Sequence, residues 1–152
     1  MSDRQHIAQL IEELAADLGI PEMKLGEDGT CALQFDGTLT VYIAHLEAER
    51  NLTLFCYLGQ PEGDRAALFQ RLLEANFFWS GAAGATLSLE RESGGVVLMD
   101  RVATHGLHLP EFMAVLERFV NAAESWRTQL GGAAEEDSET VAVQNLGGHI
   151  RA

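Results

Sequence analysis

Five histidines, two cysteines and 23 acidic side chains are the groups of this 152-residue chain that could do chemistry. His6, His45, His105, His108 and His149 are scattered, and only His105 and His108 lie close together. A structural zinc takes four ligands, and neither a cysteine nor a carboxylate cluster accompanies that pair, so a surface loop is the reading its spacing favours. His45 closes a strand-like segment and reads as an edge residue. Cys31 and Cys56 sit in alternating apolar segments without a C-x-x-C neighbour, as small buried hydrophobes do. The carboxylate pairs Glu12–Glu13, Glu47–Glu49 and Glu90–Glu92 fall on polar phases and read as solvated surface. General acid–base work would need a pocket that perturbs one of them. No G-x-S-x-G, phosphate-cradling loop or H-E-x-x-H is present. The glycines at 81 and 84 follow a helical pattern and lack the Lys and Ser/Thr of a phosphate loop. No catalytic residue, metal or cofactor is therefore expected.

The elements that must position these groups are legible from periodicity. Ile7, Leu10, Ile11, Leu14 and Leu18 recur at helical spacing, predicting a helix over 3–18 capped by Ser2 or Asp3 and stopped by Gly19 and Pro21. Three alternating segments follow, around Cys31–Phe35, Leu39–Ile43 and Leu52–Leu58. Asp36-Gly37 predicts a two-residue hairpin, and links this short require an antiparallel meander. Asp64 caps a second predicted helix reaching Trp79, whose last three residues, Phe77, Phe78 and Trp79, are aromatic. Three consecutive aromatics on a helix point three ways, so one face cannot bury them all. Strands at Ala85–Leu89 and Val96–Val102 precede a final helix with the stripe Phe112, Leu116, Phe119, Val120, Ala123, Trp126 and Leu130. The expected class is α+β: an antiparallel twisted sheet with helices, in the order α-β-β-β-α-β-β-α. Residues 1–132 form one domain in this reading, and the acidic stretch 133–152 a disordered tail.

Composition bounds the partners. The formal net charge of −13 repels phosphates, which argues against nucleic acid and anionic membranes. No apolar run approaches the roughly 20 residues that span a bilayer, and Met1–Gln9 carries no apolar signal region, so a cytoplasmic protein is expected. What remains is apolar surface. The strands carry apolar groups on both phases (Phe35 with Ala32, Ile43 with Tyr42, Leu54 with Phe55), enough for a second subunit or a bound peptide to cover one sheet face.

One stretch carries a resemblance. Leu68-Phe69-Gln70-Arg71-Leu72-Leu73-Glu74-Ala75-Asn76-Phe77-Phe78-Trp79, then Gly81, Gly84-Ala85-Thr86-Leu87-Ser88-Leu89 and Gly94-Gly95-Val96-Val97-Leu98, resembles the class I type III secretion chaperones of the Tir-chaperone (CesT-like) kind. The order of elements over residues 3–130 matches as well. The resemblance implies a non-enzymatic homodimer that binds the N-terminal chaperone-binding segment of a secreted effector in a non-globular form, without nucleotide, with the export ATPase as a further partner. Carried across, it places Leu72, Ala75, Asn76, Phe78, Trp79, Leu87 and Leu89 at the dimer interface. It places the apolar client-binding patches at Leu14, Leu33, Phe35, Val41, Ile43 and Leu54. Two alternatives stay open: a regulatory chaperone that sequesters an anti-activator of the secretion system, and a small-molecule enzyme on an α+β sandwich, for which no convergent set of groups is apparent.

Overall fold

The computed structural model describes residues 1–131. Helix α1, Asp3–Asp17, leads into strands β1 (Thr30–Phe35), β2 (Leu39–Leu46) and β3 (Asn51–Gly59). Helix α2, Arg65–Asn76, is followed by a 3-10 turn at Phe77–Ala82, then β4 (Thr86–Leu89), β5 (Val96–Ala103) and α3 (Leu109–Gln129). The α+β order expected from the sequence is the order observed. The strands form one five-stranded sheet, β1-β2-β3-β5-β4, so β1 and β4 are its edges. β1 pairs antiparallel with β2 from Thr30↔Ala44 to Phe35↔Leu39, and β4 with β5 from Thr86↔Met99 to Leu89↔Val96.

Two compact units divide the chain, each with its own apolar interior. The first holds Met1–Leu54 and Arg101–Arg118. Its core is the α1 stripe Ile7, Leu10, Ile11 and Leu14 with Leu33, Val41, Ile43, Leu52, Phe112 and Leu116, all buried. α1 starts on a capping box: Ser2 Oγ accepts from Gln5 N–H at 3.1 Å and Gln5 Oε1 accepts from Ser2 N–H at 2.9 Å. The second unit holds Phe55–Asp100 and the described residues from Phe119 on. Tyr57, Leu58, Leu68, Leu72, Leu98, Phe119 and Trp126 are buried there. Each such side chain contributes about 1.5–3 kcal/mol by leaving water.

Two local expectations are corrected. The β1–β2 link is one residue longer than a two-residue hairpin: Phe35 pairs with Leu39, and Thr38 N–H closes the turn on Phe35 C=O at 3.1 Å. Helix α2 ends at Asn76 rather than Trp79. Phe77 leaves the helical region (φ −63°, ψ 112°), and Phe78 and Trp79 adopt left-handed backbone at φ 52° and 54°. The chain then doubles back against the helix it has left. A Cβ on Gly81 would stand 2.7 Å from both Cα and Cβ of Ala75, so only glycine allows that approach. Trp126 Nε1–H pins the same residue by donating to Gly81 C=O at 2.9 Å. The acidic stretch 133–152, expected to be disordered, lies outside the described residues.

Candidate interaction surfaces

Apart from Met1 and Leu18, the large apolar side chains left in water among the described residues gather in the second unit. Leu73, Phe77, Phe78 and Trp79 are 72%, 70%, 77% and 53% exposed, and Leu89 is 42% exposed. They belong to α2, to the turn that follows it and to β4, elements packed on one another. The Phe77 and Phe78 rings meet edge to face at 4.7 Å. Left-handed backbone at a residue other than glycine costs roughly 1–2 kcal/mol, and here two aromatics in succession carry it. Hydrogen bonds hold them there: Ala83 N–H and Gly84 N–H both donate to Trp79 C=O, and Ser80 Oγ donates to Phe77 C=O at 3.0 Å. Strain of this kind, supporting side chains that stay more than half in water, is a mark of a working surface.

Of the residues the family resemblance assigned to an interface, Phe78, Trp79 and Leu89 are on this surface. Leu72, Ala75 and Leu87 are buried beneath it, and Asn76 is half-buried. Leu73 and Phe77 also belong to the surface. Leu73 stands about 100° around the helix from the buried Leu72, and Phe77 is the first member of the aromatic run.

The client-binding assignment places less well. Leu14, Val41, Ile43 and Leu54 are fully buried and Leu33 is 2% exposed, so five of the six positions are interior, and only Phe35 reaches the surface in part. The reason is that every residue of β3 and most of β2 are covered, so no alternating face of either strand is free. These five residues are core, and no exposed patch is made of them.

Backbone at the sheet edges is the other resource for binding. His45 N–H donates to Gly29 C=O, so by two-residue alternation β1 bonds β2 through Cys31, Leu33 and Phe35 and turns Thr30, Ala32 and Gln34 outward. Thr30 is already closed locally: its N–H donates to Asp28 Oδ1 and its C=O accepts from Gly26 N–H. Ala32 and Gln34 remain open among the described residues, and both are exposed. Two successive outward positions are enough to begin an added strand.

The polar groups of the first unit are structural. Asp3 Oδ2 accepts from His45 Nε2 at 2.8 Å and from Thr104 Oγ1 at 3.1 Å. His45 is therefore no edge residue: its ring is buried and ties β2 to the start of α1, with Nδ1 unpartnered. Burial works to raise the Asp3 carboxyl. The hydrogen bonds from His45 and Thr104, with the charges of His45 and Arg50, outweigh it and hold the carboxyl below its ordinary 3.8. A polar cleft of about 310 Å³ beside this group is lined by Ser2, Asp3, His6, Arg50, Thr104 and His105, and Ser2 Oγ there accepts from Gln5 N–H as the cap of α1. His108 stacks edge-on to His6, whose Nε2 donates to Leu107 C=O at 2.8 Å. Glu90, read from the sequence as solvated, is buried because its carboxylate caps its own turn, accepting from Glu92 N–H and Ser93 N–H. Burial pushes the half-buried Cys31 thiol up to about 12, which makes it a poor nucleophile. Among the described residues no His, Cys, Asp and Glu gather as metal ligands would, and no helix is long and apolar enough to cross a membrane.

A surface of apolar side chains and an open strand edge is what a polypeptide binder needs, and the family comparison agrees. The model of the Tir chaperone protein (CesT) family matches residues 9–127. The chain belongs to that family. Its relatives in the family include the transcriptional anti-antiactivator ExsC of Pseudomonas aeruginosa, 26% identical over 140 residues, 92% of this chain and 94% of ExsC. The crystal structure of the ExsC–ExsE complex superposes with a TM-score of 0.76 at 25% identity, over 86% of this chain and 97% of that one. The Yersinia pestis type III secretion chaperone SycH, solved with a stable fragment of YscM2, shares the fold with a TM-score of 0.63 at 23% identity, over 78% of this chain and 97% of that one. This CesT-family protein is thus a type III secretion chaperone by family.

Proposed function

We propose that this CesT-family chaperone works in the cytoplasm as a homodimer and holds the N-terminal segment of a secreted effector in a non-globular, secretion-competent form. The observation that carries the reading is the apolar surface of Leu73, Phe77, Phe78, Trp79 and Leu89, kept in water on strained backbone. A second copy covering it would bury aromatic area of the kind that dominates interface energetics. The client then takes the open edge of β1, where Ala32 and Gln34 offer backbone donors and acceptors to an extended chain. Binding needs no nucleotide, metal or catalytic step, and the export ATPase acts later on the loaded complex. A client disordered beforehand loses ordering entropy on docking, so the contact must be extensive.

ExsC favours a second reading. Its likeness runs over most of both chains, and it is named a transcriptional anti-antiactivator, which makes a regulator of secretion the alternative client. Light scattering at micromolar concentration tests the homodimer: twice the chain mass is expected, and a clean monomer overturns it. Co-purification from the native cells, with the bound protein identified by mass spectrometry, tests the client. A secreted effector supports the main reading, a regulator the second, and a folded enzyme neither.

A further inference from the structure

Asn76 does something at the β4 edge that neither its type nor its position announces. Glu90 N–H donates to Gly95 C=O, so by alternation β4 bonds β5 through Thr86 and Ser88 and turns Leu87 and Leu89 outward. An outward N–H and C=O on an edge strand is the template on which another strand pairs. At Leu87 the template is already filled. The Asn76 carboxamide donates from Nδ2 to Leu87 C=O at 2.9 Å, and its Oδ1 accepts from Leu87 N–H at 2.8 Å. An amide side chain has one donor face and one acceptor face, the same pair a neighbouring strand would present. On the other side of Leu87 along the strand, Ala85 N–H is taken by Ala82 C=O at 3.0 Å. Only Leu89 is left, and a single open position cannot start a ladder.

We infer that Asn76 closes the β4 edge to strand addition, so that the apolar surface of α2, the aromatic turn and β4 meets a second copy of this chain through side chains alone, without a continuous sheet across the two copies. The inference rests on the proposed homodimer for its partner, and on this chain's own hydrogen bonds for the closure. It also separates the two edges by mechanism: β1 keeps two adjacent outward positions for an extended client, and β4 keeps too few.

Amide hydrogen exchange, followed residue by residue across a dilution series that spans dimer and monomer, tests this. In the wild-type chain Leu87 N–H is expected to be slow, and equally slow at every concentration, because its acceptor is in its own chain. Leu89 N–H, outward on β4, is expected to be fast in the dilute sample, where no second copy covers it. In Asn76→Leu, which keeps the branched outline of the side chain but has neither donor nor acceptor, Leu87 should exchange at least about tenfold faster in the dilute sample. It should regain protection as concentration rises and freed edges pair. Ser88 N–H, bonded to β5, should stay slow in both and so reports that the variant is folded. Wild-type Leu87 that is fast in the dilute sample and gains protection only as concentration rises would overturn the inference, since its acceptor would then lie in the second copy. So would a folded Asn76→Leu in which dilute Leu87 remains slow. Should that variant unfold, the wild-type series decides alone. A chain that is monomeric throughout, with Leu87 slow, sinks the homodimer and leaves the closure of the edge standing.

Discussion

Replacing Gly81 by Ala perturbs the aromatic turn where it comes back against α2 at Ala75. The added methyl would sit 2.7 Å from both Ala75 Cα and Cβ and 3.3 Å from its carbonyl oxygen, where Cβ contacts under 3.0 Å are essentially never tolerated. The turn must lift off the helix by about 1 Å. Overpacking of that kind costs about 1–3 kcal/mol. The lift also breaks the 2.9 Å bond from Trp126 Nε1–H to Gly81 C=O, a loss of about 1 kcal/mol. The sum is about 2–4 kcal/mol, or a fall in melting temperature of about 5–15 °C for a chain of this size. Denaturant unfolding gives the energy, and tryptophan fluorescence gives the place: Trp126 is 6% exposed and should report a wetter ring in the folded variant. A variant within about 0.5 kcal/mol of wild type, the range of an ordinary surface change, would refute the argument that the close approach fixes this turn.

Three further outcomes are expected. Phe78→Asn should unfold within about 1 kcal/mol of wild type, because Asn accepts left-handed backbone and its relief offsets the lost ring contact with Phe77; light scattering should show weakened self-association. Ile43→Asp should lose folded structure by circular dichroism, at a cost above about 4 kcal/mol, because the side chain is fully buried in the apolar core of the first unit. A folded Ile43→Asp with impaired client binding would restore that position to a binding patch. Asp3 has a carboxyl held below 3.8, so its contribution is complete above that pH and fades as pH falls through the lower folded value; the stability gap between wild type and Asp3→Ala, measured by urea unfolding, should therefore be full at pH 6 and shrink steadily below about pH 3.8.

Sequence periodicity was enough for the order of elements because each is amphipathic or alternating over several turns or pairs. α1 and α3 are legible from their stripes, and β3 from its alternation, although Thr53, Phe55 and Tyr57 on its second phase are buried too. That double coverage is why the client patch could not be read: alternation identifies a strand and does not say which phases a neighbour covers. The end of α2 was illegible for a different reason. Nothing local in Phe77-Phe78-Trp79 stops a helix; the stop comes from Asn76 reaching Leu87 and Trp126 reaching Gly81, partners distant in sequence. His45 misled in the same way, since distant Asp3 turns it inward, whereas Glu90 is turned inward by its neighbours, the Glu92 and Ser93 N–H groups.

Gly95 lies so close under the Tyr57 ring that a Cβ there would overlap it, at 2.1 Å from Cε2 and 2.2 Å from the hydroxyl. The ring cannot swing aside freely, because Gln60 Nε2 holds its hydroxyl at 2.7 Å and the Ser93 carbonyl at 2.9 Å. The two positions therefore make a single choice written at two places in the chain. A side chain can appear at 95 only after the one at 57 has shrunk, and the reverse order passes through a clashing intermediate. Among related chains a side chain at 95 should occur only with a smaller residue at 57, whereas a smaller residue at 57 is free to occur with glycine at 95.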